Sequence, residues 1–156
     1  MKKYIIVILT IACGSSYAGD DNMLKAIEII AHGNEFQAER IRIATENLAN
    51  EYSTGDTPGS DPYRRKIIYG EDVYDPALKA YVLKVKKYTT DQSPLKFKFD
   101  PAHPAADAEG YVKLPNVDRN IEKADISEAQ RSYEAGLGVI EISKSMIQRT
   151  LEVIGK

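Results

Sequence analysis

Few residues in this chain have side chains able to do chemistry: two histidines, His32 and His103, and one cysteine, Cys13. A lone cysteine can close no intramolecular disulfide and can build no cysteine zinc site. Glu28 and His32 stand four residues apart, so on a helix they share a face and offer two ligands to a metal. A second pair is missing, which leaves a surface hydrogen bond as the simpler role. His103 lies in a loop sequence between Ala102 and Pro104, where its imidazole is expected to bond the backbone. Asp107-x-Glu109-Gly110 has the beginning of a calcium loop, but neither a third oxygen ligand nor the distal glutamate at EF-hand spacing. Several serines lie near charged residues, yet no nucleophile–base–acid set or strand–turn–helix elbow surrounds them. A glycine-rich phosphate cradle is also missing. These residues predict no enzyme, no metal, no cofactor and no small-molecule substrate.

Tyr63-Arg64-Arg65-Lys66 and Lys84-Val85-Lys86-Lys87-Tyr88 interleave cations with rings, a pattern that can grip single-stranded nucleic acid. The chain carries 21 basic against 23 acidic side chains, a formal net charge of -2. Dedicated nucleic-acid binders carry a basic excess, so a charged strand face meeting another subunit is the better reading. Charge is also segregated along the chain. Residues 62–98 hold nine basic and four acidic side chains, net +5, and residues 99–136 hold four basic and eight acidic, net -4. Opposite patches on one molecule can meet head to tail, and heterologous contacts that do not close build helical filaments. Two solvated faces, or pairing within the monomer, account for the same charges. Tyr69, Tyr74 and Tyr81 read most simply as core and rim of a β unit.

The elements that must position these residues follow from spacing. With 156 residues, 43% hydrophobic and 28% charged, the chain suits one domain and is neither collagen-like nor wholly disordered. Lys2 and Lys3, the apolar run Tyr4–Ala12 and Ser16-x-Ala18 fit a secretory signal peptide over residues 1–18. Leu9–Cys13 loosely resembles a lipobox, and translation from Met23 is a third reading. Ile27, Ala31, Asn34, Ala38, Ile41, Thr45 and Leu48 alternate spacings of four and three, with Ile30, Ile43 and Ala44 widening the stripe, which predicts a helix over 23–52. Asn47 and Asn50 lie near its end, where asparagine tolerates the left-handed conformation that closes a helix. Residues 53–62 have loop chemistry. A small, mainly antiparallel β domain is expected over 63–117, with strands at Tyr63–Tyr69, Leu83–Lys86, Leu95–Phe99 and Tyr111–Leu114.

A second helix is predicted over 120–154. Tyr133, Leu137, Ile140, Ile147, Leu151 and Ile154 form one heptad seam, and Val139, Ile142, Met146, Thr150 and Val153 form another stripe. One partner helix cannot cover both. The fold class is therefore α+β: long terminal helices pairing as a coiled coil around a small antiparallel β unit, with apolar area left for an interface. The candidate subunit-interface residues are Ile27, Ile30, Ile41, Leu48, Leu137, Ile140, Met146, Ile147, Leu151 and Ile154.

Several local sequences carry a resemblance. Asn47-Leu48-Ala49-Asn50, the Thr57-Pro58-Gly59 loop and Tyr63-Arg64-Arg65-Lys66 resemble the N-terminal signature of bacterial flagellar rod and hook axial proteins. Asp100-Pro101-Ala102-His103-Pro104-Ala105-Ala106-Asp107, then Gly110-Tyr111-Val112-Lys113-Leu114-Pro115-Asn116-Val117, look like the proximal-rod branch of that family. Arg131-Ser132-Tyr133-Glu134-Ala135 and Ser143-Lys144-Ser145-Met146 add to the likeness, which covers about 23–156. The resemblance implies a structural subunit of the basal-body rod, in the periplasmic space, whose terminal helices pack against neighbours as the inner wall of a torque-bearing tube. Its implied partners are other rod proteins and copies of itself, with the export apparatus and a membrane ring as neighbours. The alternative is a secreted or lipid-anchored periplasmic binding module with a rod-like fold. Two features depart from the family. Rod subunits leave the cell without a cleaved signal, and Gly136 stands where the family usually has asparagine, which implies local loosening of the second helix.

Overall fold

The computed structural model of the chain describes residues 18–155. The signal-peptide reading therefore falls outside the described residues, Ala18 excepted. The first helix, α1, runs Ala18–Ala49, beginning earlier and ending earlier than 23–52. No proline interrupts it, and Gly33 is its only internal glycine beyond the first turn. Asn50 ends it with its side chain: Nδ2 and the backbone N–H both donate to the Glu46 carbonyl, at 2.9 and 3.1 Å. The left-handed closure expected at Asn47 or Asn50 does not occur. Lys79 is the only non-glycine described with positive φ, at 54°.

The β region is two separate ribbons rather than one sheet. β1 (Lys66–Asp75) and β2 (Ala80–Thr90) pair antiparallel from Lys66↔Thr90 to Asp75↔Ala80, with a bulge between Tyr69 and Gly70. β1 thus starts at Lys66, and Tyr63, Arg64 and Arg65 approach it as irregular chain, the Tyr63 N–H donating to the Ser53 carbonyl (3.0 Å) and the Arg65 N–H to Asn116 Oδ1 (2.9 Å). β3 (Lys96–Phe99) pairs with β4 (Tyr111–Leu114) in the register Lys96↔Leu114 to Phe99↔Tyr111. Gly70 sets how closely the first ribbon lies on α1: a Cβ there would stand 2.9 Å from both the Leu83 and Phe36 side chains.

The second helix, α2, runs Arg119–Ile154. Asp118 caps it, its carboxylate accepting from the N–H groups of Asn120 (2.9 Å) and Ile121 (3.4 Å), which satisfies two otherwise orphaned donors. The core is small: Ile43 and Ala44 of α1, Val82 of β2, Val112 of β4, Val117 and Ala129 are its most buried apolar residues. Tyr69, Tyr74 and Tyr81 are 45%, 51% and 67% exposed, so they form rim and not core. Nor does the expected stripe on α1 face inward as a whole. Ala31, Ala38 and Thr45 are exposed, while Ile43, Ala44 and Asn47 are buried, because β1 and β2 cover a different flank of the helix from α2.

The helices run antiparallel, Asn34 meeting Gly136 and Asn47 meeting Glu122. A Cβ at Gly136 would lie 2.1 Å from Asn34 Oδ1, so the glycine is a notch for the asparagine. α2 continues unbroken through Gly136. This fit predicts a strong non-additivity. In an Asn34→Ala background, Gly136→Ala should stabilise by up to about 1 kcal/mol from helix propensity alone. In the wild-type background the gain should vanish or reverse, giving a coupling of at least about 0.5 kcal/mol in a denaturant double-mutant cycle. Additive effects would show that the notch is not a tight contact.

Candidate assembly interface

The most buried polar cluster joins the end of α1, the approach to β1 and the start of α2. Asn47 is 1% exposed and uses its amide fully. Its Nδ2 donates to the Lys66 carbonyl (2.9 Å) and Glu122 Oε2 (3.0 Å), and its Oδ1 accepts from the Lys66 N–H (2.8 Å) and the Tyr63 hydroxyl (2.8 Å). Glu122 is wholly buried, and its other oxygen pairs with Arg65. Arg65 is held in turn, its N–H donating to Asn116 Oδ1 (2.9 Å) and its carbonyl accepting from Asp91 (2.8 Å). Asn116 Nδ2 reaches the Asp91 carbonyl (3.1 Å) and Ser93 Oγ (2.9 Å). A buried carboxylate is tolerated only with such complete pairing. Nearby, Arg40 pairs with Asp125 and Lys66 with Glu46 across the same junction.

This clasp assigns physical roles to part of the family-motif set. Asn47, Tyr63 and the adjacent Arg65 and Lys66 lock the helix junction, and Asn50 ends α1. Arg64, Leu48 and Tyr133 are half-buried, while Ala49, Pro104, Tyr111, Arg131 and Glu134 are exposed. His103 Nδ1 accepts from the Ala105 N–H (3.1 Å), a loop-bracing role. Gly110 takes φ 88°, which its lack of a Cβ permits. Asp107 spends its carboxylate on the N–H groups of Tyr111 (2.7 Å) and Glu109 (3.2 Å). His32 sits 3.7 Å from Glu35, correcting its expected pairing with Glu28. No group of three potential metal ligands occurs among the described residues. Sequence reasoning missed Glu122, whose position in the first turn reads as a helix-dipole charge.

Beyond the clasp the helix pair is open. A shallow groove between the helices is lined by Ala31, Asn34, Ala38, Tyr133, Leu137 and Ile140. On α2, Val139, Ile142, Met146 and Val153 are 47%, 62%, 52% and 78% exposed and share one flank. From the heptad seam, Leu137, Leu151 and Ile154 are also exposed, at 46%, 57% and 73%. Ile27, Ile30, Ile41, Ile140 and Ile147 are intermediate. No described helix is long and apolar enough to cross a membrane.

Two terminal helices clamped at one end and left apolar along the other, with two antiparallel ribbons between, define an assembly subunit of α+β class. No family model matches the chain. It is 43% identical over 134 residues to the flagellar basal-body rod protein FlgC of Agrobacterium fabrum, covering 86% of this chain and 96% of that relative. It is 37% identical over 149 residues to FlgC of Borreliella burgdorferi, covering 85% and 97% respectively. For FlgC of Bacillus subtilis the identity is 32% over 144 residues, covering 82% and 95%. The chain belongs to the FlgC family of flagellar basal-body rod proteins.

Burial, then the negative charges of Glu46 and Glu122, push the Tyr63 hydroxyl from 10.0 up to about 12. The folded state therefore holds this proton more tightly than the unfolded chain. Its contribution to stability is complete below pH 10 and is lost as pH rises through 10 towards 12. Tyr63→Phe should cost about 1 kcal/mol at neutral pH, and the gap to wild type should narrow over that alkaline window. Asn47→Ala, which strands Glu122 and the Lys66 backbone, should cost about 3 kcal/mol in urea unfolding. A loss under about 1 kcal/mol would mean that the clasp is not holding the junction.

Proposed function

We propose that the chain is a structural subunit of the flagellar basal-body rod, assembling with copies of itself and other rod proteins into the tubular shaft. The export apparatus and a membrane ring are its neighbours in this reading, the lumen passes exported subunits, and the shaft carries torque. Catalysis forms no part of it. The family supports the rod, and the observation that carries the assembly role is the apolar flank of α2, Val139 to Val153, which no element among the described residues covers. Ile27, Ile30, Ile41, Leu48, Leu137, Ile140, Met146, Ile147, Leu151 and Ile154 are the proposed packing positions between helices and between subunits. Interdigitated apolar contacts are barely compressible, so a wall built from them transmits torsion without yielding. The names of the relatives give no support to a periplasmic binding module.

The test replaces two flank residues with charge. Ile142→Lys/Met146→Lys should leave the thermal melt of the purified chain within a few degrees of wild type, because both side chains are exposed. The same variant should abolish swimming and remove the chain from purified hook–basal bodies, as read by mass spectrometry. Normal incorporation of the variant would sink the assigned interface. Absence of the wild-type chain from those bodies would sink the rod reading.

A further inference from the structure

The groove between α1 and α2 holds a polar group that its own walls leave unsatisfied. Asn34 lines it and is 8% exposed, yet its Nδ2 finds no acceptor among the described residues. A buried donor without an acceptor is destabilising, so the free subunit is incomplete at this point. The α1 wall beside Asn34 is low. Ala31 and Ala38, seven residues apart on one stripe, are both exposed, and small side chains let a further helix approach closely. The edges are mainly acidic: Glu28, Glu35, Glu134 and Glu141 are exposed there, and Lys144 follows Leu137 two turns on. Glu28 forms no ion pair among the described residues, and Glu35 has His32 at 3.7 Å, with Lys84 lining the cavity on its other side.

The uncovered flank of α2 has the opposite relief. Val139, Ile142, Met146 and Val153 form a ridge, and Arg149 is the one charged side chain within that stripe. It is exposed and pairs with no acid among the described residues. Glu141 and Ser145 stand at the ridge's border. Lys144 lies two residues from both Ile142 and Met146, which puts it on the other side of the helix. We propose that the α2 ridge of a second copy packs antiparallel in this groove, with Ile142 seated on Ala38 and Arg149 over Ala31, between Glu28 and Glu35. The spacing fits, because 142 to 149 and 38 to 31 are both seven residues, about two helical turns. Ser145 then comes level with Asn34, and its hydroxyl oxygen is the acceptor that Nδ2 lacks. The antiparallel direction carries Glu141 towards Arg42, which is 53% exposed beyond its pairing with Glu39. A parallel ridge with Arg149 at Glu35 would carry Glu141 to Glu28 instead, like charge against like.

The proposal rests on the rod reading and says which helix faces of successive copies meet. Copies repeated along a helical axis point the same way, so α2 of one meets α1 of the next antiparallel, the direction that the charges select. Groove and ridge are different surfaces, so the contact is heterologous and repeats without closing.

Charge exchange in the full chain, expressed in a strain lacking its own copy, tests this. Arg149→Glu and Glu28→Arg/Glu35→Arg should each lower swimming at least about fivefold, with the melting temperature of the purified chain unchanged because all three side chains are exposed. The triple variant, in which every copy carries both reversals, should recover at least about half of the wild-type rate. Ala38→Trp, which fills the seat of Ile142, should impair swimming as strongly. Unimpaired swimming in any of these three variants would overturn the proposal. So would loss in both charge variants without recovery in the triple, because the groove would then face an unlike protein. Wild-type chain missing from basal bodies is a separate result, which removes the rod reading and the proposal with it.

Discussion

A buried carboxylate fixes the architecture of this chain. Glu122 has no exposure to water and is held by partners drawn from other segments, a hydrogen bond from Asn47 of α1 and an ion pair with Arg65 on the approach to β1. Removing one partner of a buried charge is far more costly than the pair is worth, because the remaining charge stays unsolvated. The end of α1, the turn into the first ribbon and the start of α2 must therefore arrive together. Asn116 extends the same network to Asp91 and Ser93, fixing where β2 ends. With so few fully buried apolar residues, polar satisfaction takes over part of the specifying role that a larger core would play.

The clasp also explains why the molecule is so uneven. Polar bonds and ion pairs concentrate where Asn47 faces Glu122, and the fixed antiparallel direction carries the helices away from that point. Midway, Asn34 fits the Gly136 notch, but its Nδ2 is buried without a hydrogen-bond partner among the described residues. Further out, none of the described residues covers the α2 flank from Val139 to Val153. A subunit whose register is set at one end can leave the other end incomplete, to be finished by packing on neighbours. That arrangement suits an axial protein, which needs a defined shape before assembly and a continuous wall after it.

The sequence announced the helices clearly, because spacings of three and four over thirty residues leave few alternatives. It announced β4 with the same bounds, and the proline-bearing loops around it. It could not say which face of the β3–β4 ribbon carries the buried Val112, nor that all four β3 residues are exposed. Alternation of Phe97 and Phe99 with Lys96 and Lys98 separates two faces without ranking them, and lysine stems can lie along apolar surface while their heads find carbonyls. Asn47 stood out in the sequence, but its task did not. The same residue type favours left-handed turns and buried amide networks, and only the presence of Lys66 and Glu122 around it decides between them. Glu122 was invisible for the same reason: its carboxylate looks like an ordinary first-turn acid until Arg65 closes over it.

An apolar flank and the exposed rings of Phe97, Phe99 and Tyr111 on one free subunit invite indiscriminate sticking, and the chain counters this with charge placed beside them. Lysines line β2, whose edge away from β1 pairs with no strand among the described residues, and the loops beside Phe97 and Phe99 hold carboxylates. Such exposed charges add little to affinity, since water screens them, yet a wrong approach that desolvates like charges is costly. Apolar area therefore supplies the attraction and is tolerant of register, while charge supplies the veto and is not. For a wall made of many similar helices, the second term decides the geometry: a slip of one turn along α2 keeps most of the apolar contact but misplaces every charge beside it.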